Sequence, residues 1–289
     1  YYKPAGFKGA KKAHYEYIEE GRRPWLYRNG GASVVLPDSV MAYPRLCAHR
    51  GFSTVAPENS MPAFGAAVAL GAEEIEFDLW CTKDGEIVSS HDSTLERVSD
   101  GEGFIYEKTY EELEGLDFGS KFGESFRGLK IVKFEEILQK FAARVVMNVH
   151  IKTLSDSYDE EMMKKIVSLV RKYDCEKYVY FMIVHDGVIR QFMNYAPDIP
   201  ICVGHDSARP WEIVDRAIAL GCKKVQLFKS DYYKTRYFNK EMIDYAHKNG
   251  IRCNVFYADD PDEAKEYIEM GIDTILTNDY LAIKNALKM

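Results

Sequence analysis

The sequence predicts a (β/α)8 barrel of the TIM type, with a small insertion after its second strand and an N-terminal arm. Eight short, apolar, strand-like runs recur from Arg45 onward. Amphipathic stretches separate most of them, and several of these stretches end in glycine, the usual left-handed C-cap of a helix. Apolar strands in such alternation with helices form a parallel sheet whose outer face the helices cover. A doubly wound open sheet is the alternative, but no glycine-rich fingerprint follows the first strand.

Residues 1–44 lack this rhythm. The stretch "YYKPAGFKGAKKAHYEYIEEGRRPWLYRNGG" mixes aromatics, basic residues and glycines without a sustained period. It reads as an arm with one short helix near 11–20, docked through Tyr15, Tyr17, Trp25 and Tyr27. The barrel then occupies 45–289, with strands expected at 45–51, 73–80, 145–152, 178–185, 199–205, 223–229, 251–258 and 272–279. Helices ending in glycine are expected at 61–71, 211–221, 239–250 and 261–271. One interval is too long: about 65 residues separate strands two and three. It holds an extra strand-like piece, "EIVSSHD" (86–92), and a polar, Gly-rich run. Long stretches of this kind are commonly lids or binding loops, so an insertion is expected at about 86–130, over one end of the barrel. Its aromatics, Phe104, Tyr106, Phe118, Phe122 and Phe126, either wall a pocket or pack the insertion itself.

Composition bounds the function. The 289 residues are 46% hydrophobic and 29% charged, an ordinary globular balance. A formal net charge of −7 argues against a nucleic-acid partner or a polybasic membrane patch. An anionic small molecule would have to be held by a few local cations. No apolar run approaches a membrane span. Cys47, Cys81, Cys175, Cys202, Cys222 and Cys253 form no CxxC pair, which disfavours a structural zinc site. Most sit in or beside strands, as reduced core thiols of a cytoplasmic protein would. The sequence opens on Tyr1 rather than Met, so an exported form with a removed signal peptide stays open.

The third strand, "VVMNVHIK", poses the chemical question. Alternate side chains of a strand share a face, so Asn148, His150 and Lys152 lie together amid apolar neighbours. Buried polar groups need partners. In a barrel the C-terminal ends of the strands carry the active site. Five of the seven histidines (His49, His91, His150, His185, His205) fall at or within two residues of such an end. Glu76 and Asp78 share one face of strand two and repel unless a cation sits between them, or unless lysines or arginines pair with both. His49 and His91 are suited to general acid–base work, and Arg50 and Lys152 to a phosphate. Together these groups describe metal-assisted hydrolysis of a phosphate ester.

The block "AHRGFSTVAPENSMPAFGAAVALGAEEIEFDLWCTKDGEIVSSHDSTLERVSDGEG" (48–103) resembles the glycerophosphodiester phosphodiesterase family, with its HRG, PEN, Glu-x-Asp strand, T-K-D-G and His-Asp pair in order. Weaker similarity continues through "IVKFEEIL", "AHKNGIRCNVF" and "GIDTILTND", covering about 235 of the 289 residues. The resemblance implies a (β/α)8 barrel that uses a divalent metal, magnesium or calcium, to split a small glycerophosphodiester into an alcohol and glycerol phosphate. It implies His49 and His91 as the acid–base pair, Glu76 and Asp78 as metal ligands, and Arg50 and Lys152 on the phosphate. Glu58, of the PEN loop, is placed near the substrate or as a brace.

One position departs. The family's strand-three motif is Glu-Ile-Lys, its Glu a third metal ligand, and this chain has His150 there. Imidazole suits manganese or zinc better than magnesium or calcium. A transition-metal site, a weakened magnesium or calcium site and a non-catalytic phosphodiester-binding barrel are all compatible with this substitution. So is a phospholipase D-like lyase that closes a cyclic phosphate. Strand four departs too, with Val184, His185 and Asp186 replacing a Ser-Phe-Asp. His185 and His205 are either contacts of the site or neighbours of capping residues, Asp186 and Asp206. The aligned phosphate cations and carboxylates favour an enzyme acting on a small molecule, and oligomeric state is open.

Overall fold

The computed structural model describes residues 35–289. The helix expected near 11–20 and the arm's aromatics lie outside the described residues.

The strands are β1 (Arg45–Ala48), β2 (Glu74–Cys81), β3 (Ile87–Ser89), β4 (Val132–Lys133), β5 (Val146–Ile151), β6 (Val179–Ile183), β7 (Ile201–Val203), β8 (Lys224–Ser230), β9 (Thr235–Arg236), β10 (Arg252–Phe256) and β11 (Thr274–Thr277). Eight of them pair in parallel in the order β1-β2-β5-β6-β7-β8-β10-β11, and β11 returns to β1 with Arg45 opposite Thr274. The sheet is therefore a closed barrel, and each of its strands falls on a predicted run, β2 and β8 reaching one residue past its end. The helices are α1 (Met61–Ala69), α2 (Tyr110–Glu114), α3 (Phe134–Phe141), α4 (Glu160–Lys172), α5 (Asp186–Tyr195), α6 (Ile213–Leu220), α7 (Lys240–Lys248), α8 (Pro261–Met270) and α9 (Tyr280–Leu287). Gly221 and Gly271 end α6 and α8 at positive φ, as their spacing predicts.

Strand alternation sorts the side chains. Outward-facing Ile75, Phe77, Leu79, Met147, Val149 and Ile151 pack against helix residues such as Phe64, Phe134 and Ile137 in one continuous core. Many inward-facing residues are polar. At the base, Arg45 Nη1 donates to Asp38 Oδ1 at 2.6 Å and to Glu74 Oε2 at 3.5 Å, and Lys224 Nζ reaches Asp38 at 3.0 Å. In the next layer Asn148 Nδ2 donates to Gln226 Oε1 at 3.2 Å. Asn254 Nδ2 donates to the Tyr180 hydroxyl at 2.8 Å. Residues 35–44 close this end, where Met41 packs against Val146, Tyr180 and Met182.

Between β2 and β5 the chain leaves the barrel. β3 pairs antiparallel with the end of β2 (Trp80 opposite Val88), and β4 pairs with β3. A separate apolar cluster of Trp80, Val88, Leu95, Ile105, Leu113 and Ile131 holds this segment. All six cysteines are free thiols. No helix among the described residues is long and apolar enough to cross a membrane.

Candidate active site

The turn that follows β1 sets the first group of side chains. Arg50 and Gly51 both have positive φ, and a Cβ at Gly51 would lie 2.7 Å from the Ala63 carbonyl carbon, so only glycine fits against α1. This turn aims the Arg50 backbone N–H at Glu76 Oε2, 3.0 Å away. The Arg50 guanidinium donates to His49 Nε2 at 3.2 Å and to Glu58 Oε1 at 2.8 Å.

His49 is oriented from behind. Asn278 Nδ2 and its backbone N–H both donate to Asp259, each at 2.7 Å, which turns the amide oxygen of Asn278 toward His49 Nδ1, also at 2.7 Å. The proton of the neutral ring is therefore on Nδ1, and Nε2 carries the lone pair, which accepts from Arg50 Nε at 3.2 Å. Burial, followed by the charge of Arg50, lowers the His49 pKa to about 4. The ring also meets Phe256 edge-on at 4.9 Å.

His91 follows the end of β3. Trp80 Nε1 donates to its carbonyl at 3.2 Å, and its Nδ1 lies 2.6 Å from Asp92 Oδ1. Burial and the charges of Lys152 and Arg50 lower its pKa, while Asp78 and Asp92 oppose them. Arg97 joins Asp92 to Glu58, meeting both oxygens of Glu58 at 2.7 Å. A continuous chain thus runs from His91 through Asp92, Arg97, Glu58 and Arg50 to His49.

Between the histidines lie Glu76, Asp78 and His150, each with a donor atom within 4.8 Å of the others. Asp78 faces His150 across the β2–β5 register, and His150 Nδ1 is 3.1 Å from its Oδ1. Lys152 Nζ stands 3.0 Å from the same oxygen. Neither contact has hydrogen-bond geometry, so this buried oxygen accepts no hydrogen bond. Asp78 Oδ2 takes one from Asn59 Nδ2 at 2.9 Å, and Asn59 Oδ1 accepts the Asp78 N–H at 3.0 Å. Burial opposes the charge of Asp78, but Lys152 and His150 outweigh it and hold its carboxyl well below the usual range. Glu76 moves the other way, pushed up by burial and by the charge of Asp78. Burial, then Lys152, lowers His150 to about 3, leaving a neutral imidazole able to ligate. Two carboxylates, a neutral imidazole and an oxygen free of hydrogen bonds fit a divalent ion.

The expected site residues His49, Arg50, Glu58, Glu76, Asp78, His91, His150 and Lys152 thus meet at one mouth. The two capping expectations fail. Asp186 is the first residue of α5 and pairs with buried Arg216 at 2.6 Å; Asp206 bonds the Ala208 N–H and Arg209 in a turn before the next helix. In each case a nearby arginine outcompetes the helix end for the carboxylate. His185 takes the N-cap position of α5 without a side-chain cap. His205 stacks on Phe228 at 4.3 Å, its Nδ1 buried without a partner. The sequence reading missed Asn59, Asn278, Asp259, Arg97 and Phe256. Asn59 and Asn278 carried a readable signal, since one belongs to the PEN motif and the other ends a barrel strand. The insertion's aromatics divide: Phe118 and Phe122 line a cavity of about 210 Å3 beside His91, whereas Phe104 stacks on Tyr106, which leans on Trp80.

A closed (β/α)8 barrel with histidines, carboxylates and cations gathered at the C-terminal ends of its strands has the layout of an enzyme's active site. Residues 49–282 match the glycerophosphoryl diester phosphodiesterase family, and the chain belongs to that family of phosphoric diester hydrolases. It is 30% identical over 246 residues to a glycerophosphodiester phosphodiesterase of Caldanaerobacter subterraneus, covering 83% of this chain and 96% of that one. The fold is also that of a phosphodiesterase from Oleispira antarctica solved with its product sn-glycerol-3-phosphate (TM-score 0.76, 23% identity, 86% and 98% covered). A glycerophosphodiester phosphodiesterase from Agrobacterium tumefaciens is similar too (TM-score 0.68, 23% identity, 83% and 98% covered).

Proposed function

We propose that the protein hydrolyses a small glycerophosphodiester to an alcohol and glycerol phosphate, with His49 as general base and His91 as general acid. The carrying observation is that two histidines, each with its Nδ1 against an acceptor, flank a trio of metal-type ligands. The assignment of roles rests on charge. His49 leans on an uncharged amide and stays neutral, so it suits proton removal from the attacking water. His91 leans on the Asp92 carboxylate, which opposes the lowering of its pKa by burial and nearby cations and steadies the proton it would give to the departing alkoxide.

Arg50 and Lys152 balance the phosphate, and Glu58 holds the guanidinium of Arg50 in place. Glu76, Asp78 and His150 would hold the divalent ion, which supplies Lewis-acid stabilisation of the phosphoryl oxygens. This O,O,N set favours manganese or zinc over magnesium or calcium.

The test is elemental analysis of the purified protein, with hydrolysis of glycerophosphodiesters after stripping and restoring each metal. Recovery best with a transition metal, moved toward magnesium or calcium by His150→Glu, is the expected result. No bound metal and no turnover with any cation would reduce the barrel to a binder. A cyclic phosphate product would replace water as nucleophile by an internal hydroxyl.

A further inference from the structure

The cavity beside His91 carries a charge that the reaction centre itself does not need. His91 and Glu58 line it where it adjoins the reaction centre, and Arg97, Lys121, Lys130 and Phe122 line it under the insertion. Among the described residues Glu58 is the only carboxylate in its wall, and it is already held by Arg50 at 2.8 Å and Arg97 at 2.7 Å. The two lysine ammoniums meet backbone instead: Lys121 bonds the Glu96 carbonyl and Lys130 the Leu116 carbonyl, the latter at 3.1 Å. Among the described residues neither forms an ion pair. In a chain of net charge −7 this cavity is locally positive. A concave surface of one sign concentrates ligands of the other.

We propose that the enzyme prefers glycerophosphodiesters whose alcohol itself bears an anionic group, a phosphate or carboxylate, seated between Lys121 and Lys130. The inference rests on the hydrolase reading and on His91 as the acid. Water forms the new P–O bond, the bond from phosphorus to the alcohol oxygen breaks, and that oxygen takes the proton of His91. The departing alcohol therefore lies on the His91 side, where the cavity continues. An ammonium-bearing alcohol would be repelled there, and an uncharged one would leave both lysines unused.

Three diesters test this: glycerophosphoglycerol with a terminal phosphate, plain glycerophosphoglycerol, and glycerophosphocholine. In the wild type, kcat/KM for the phosphate-bearing compound should exceed that for the plain one about tenfold at low salt, with the choline compound lowest. That ratio should shrink toward unity as screening rises near 0.5 M salt, roughly. In K121A/K130A it should fall to within about twofold of unity even at low salt. A wild-type ratio of one or less, or a ratio unaltered in the double variant, overturns the proposal. If no diester is turned over, hydrolysis fails as the function, yet calorimetric binding of the same three compounds still returns the ratio and decides the preference.

Discussion

Asn59 uses both ends of its amide on Asp78, and its carbonyl also accepts from the Ser89 hydroxyl at 3.0 Å. It thereby locks the carboxylate that faces His150. Residues that orient a ligating side chain typically account for about 10–100-fold in metal affinity. Asn59→Ala should weaken divalent-metal binding by that order while leaving far-UV circular dichroism unchanged; titration calorimetry would show it, and unaltered affinity would leave Asn59 a mere loop brace. Asn278 acts on His49 in a comparable way, because Asp259 fixes which end of the amide faces the imidazole. Asn278→Asp would place a negative charge against Nδ1 and raise the low His49 pKa, an upward shift readable by NMR titration of the ring.

Two local elements hold the site from either side. The β1–α1 turn depends on Gly51, whose positive φ and contact with Ala63 exclude any side chain. Gly51→Ala should cost about 2 kcal/mol or more in stability, since strain and overlap add, and it should lower the thermal midpoint and hydrolysis together. On the insertion, Asp117 gathers the backbone N–H groups of Gly119, Gly128 and Ser120, which hold its pKa down from 3.8 to about 2. A pKa depressed by folding contributes stability that is fully present above the unfolded value and is lost as pH falls through the folded one. The loop around Asp117 should therefore loosen between pH 3.8 and about 2, with protease cleavage near 117–128 rising in that window. Asp117→Ala should show the same cleavage at neutral pH.

At the scale of the molecule, the barrel has a polar axis from base to mouth. At the base, Asp38 joins Arg45 of β1 and Lys224 of β8, both buried, and so ties residues 35–44 to the first and sixth predicted strands. Removing one partner of a buried ion network leaves an uncompensated charge, at a cost of about 3–5 kcal/mol. Asp38→Ala should lower denaturant stability by that order, whereas kcat should change little, because the base lies at the opposite end from the histidines. A kcat loss as large as that of a mouth variant would mean that the base shapes the mouth. Glu74, Glu76 and Asp78 illustrate the axis on a single strand. Glu74 answers Arg45 below, while Glu76 and Asp78 serve the mouth above.

The periodic apolar runs alone determined the barrel, because a strand buried on its outer face must be apolar at alternate positions whatever its partners. The same alternation exposed the polar face of β5, and the ordered HRG, PEN and Glu-x-Asp motifs located the mouth. What the sequence could not say was which polar groups answer one another. Asp259 lies 210 residues from His49 along the chain, and only barrel closure brings it behind Asn278. Arg97 meets Glu58 because the insertion folds back over the 57–60 turn, and no local pattern announces that return. Asp186 and Asp206 looked like helix caps by position, yet Arg216 pairs with the first and Arg209 with the second. Chain periodicity records burial, which is a property of each residue; pairing depends on distances between residues, and those exist only once the chain has closed.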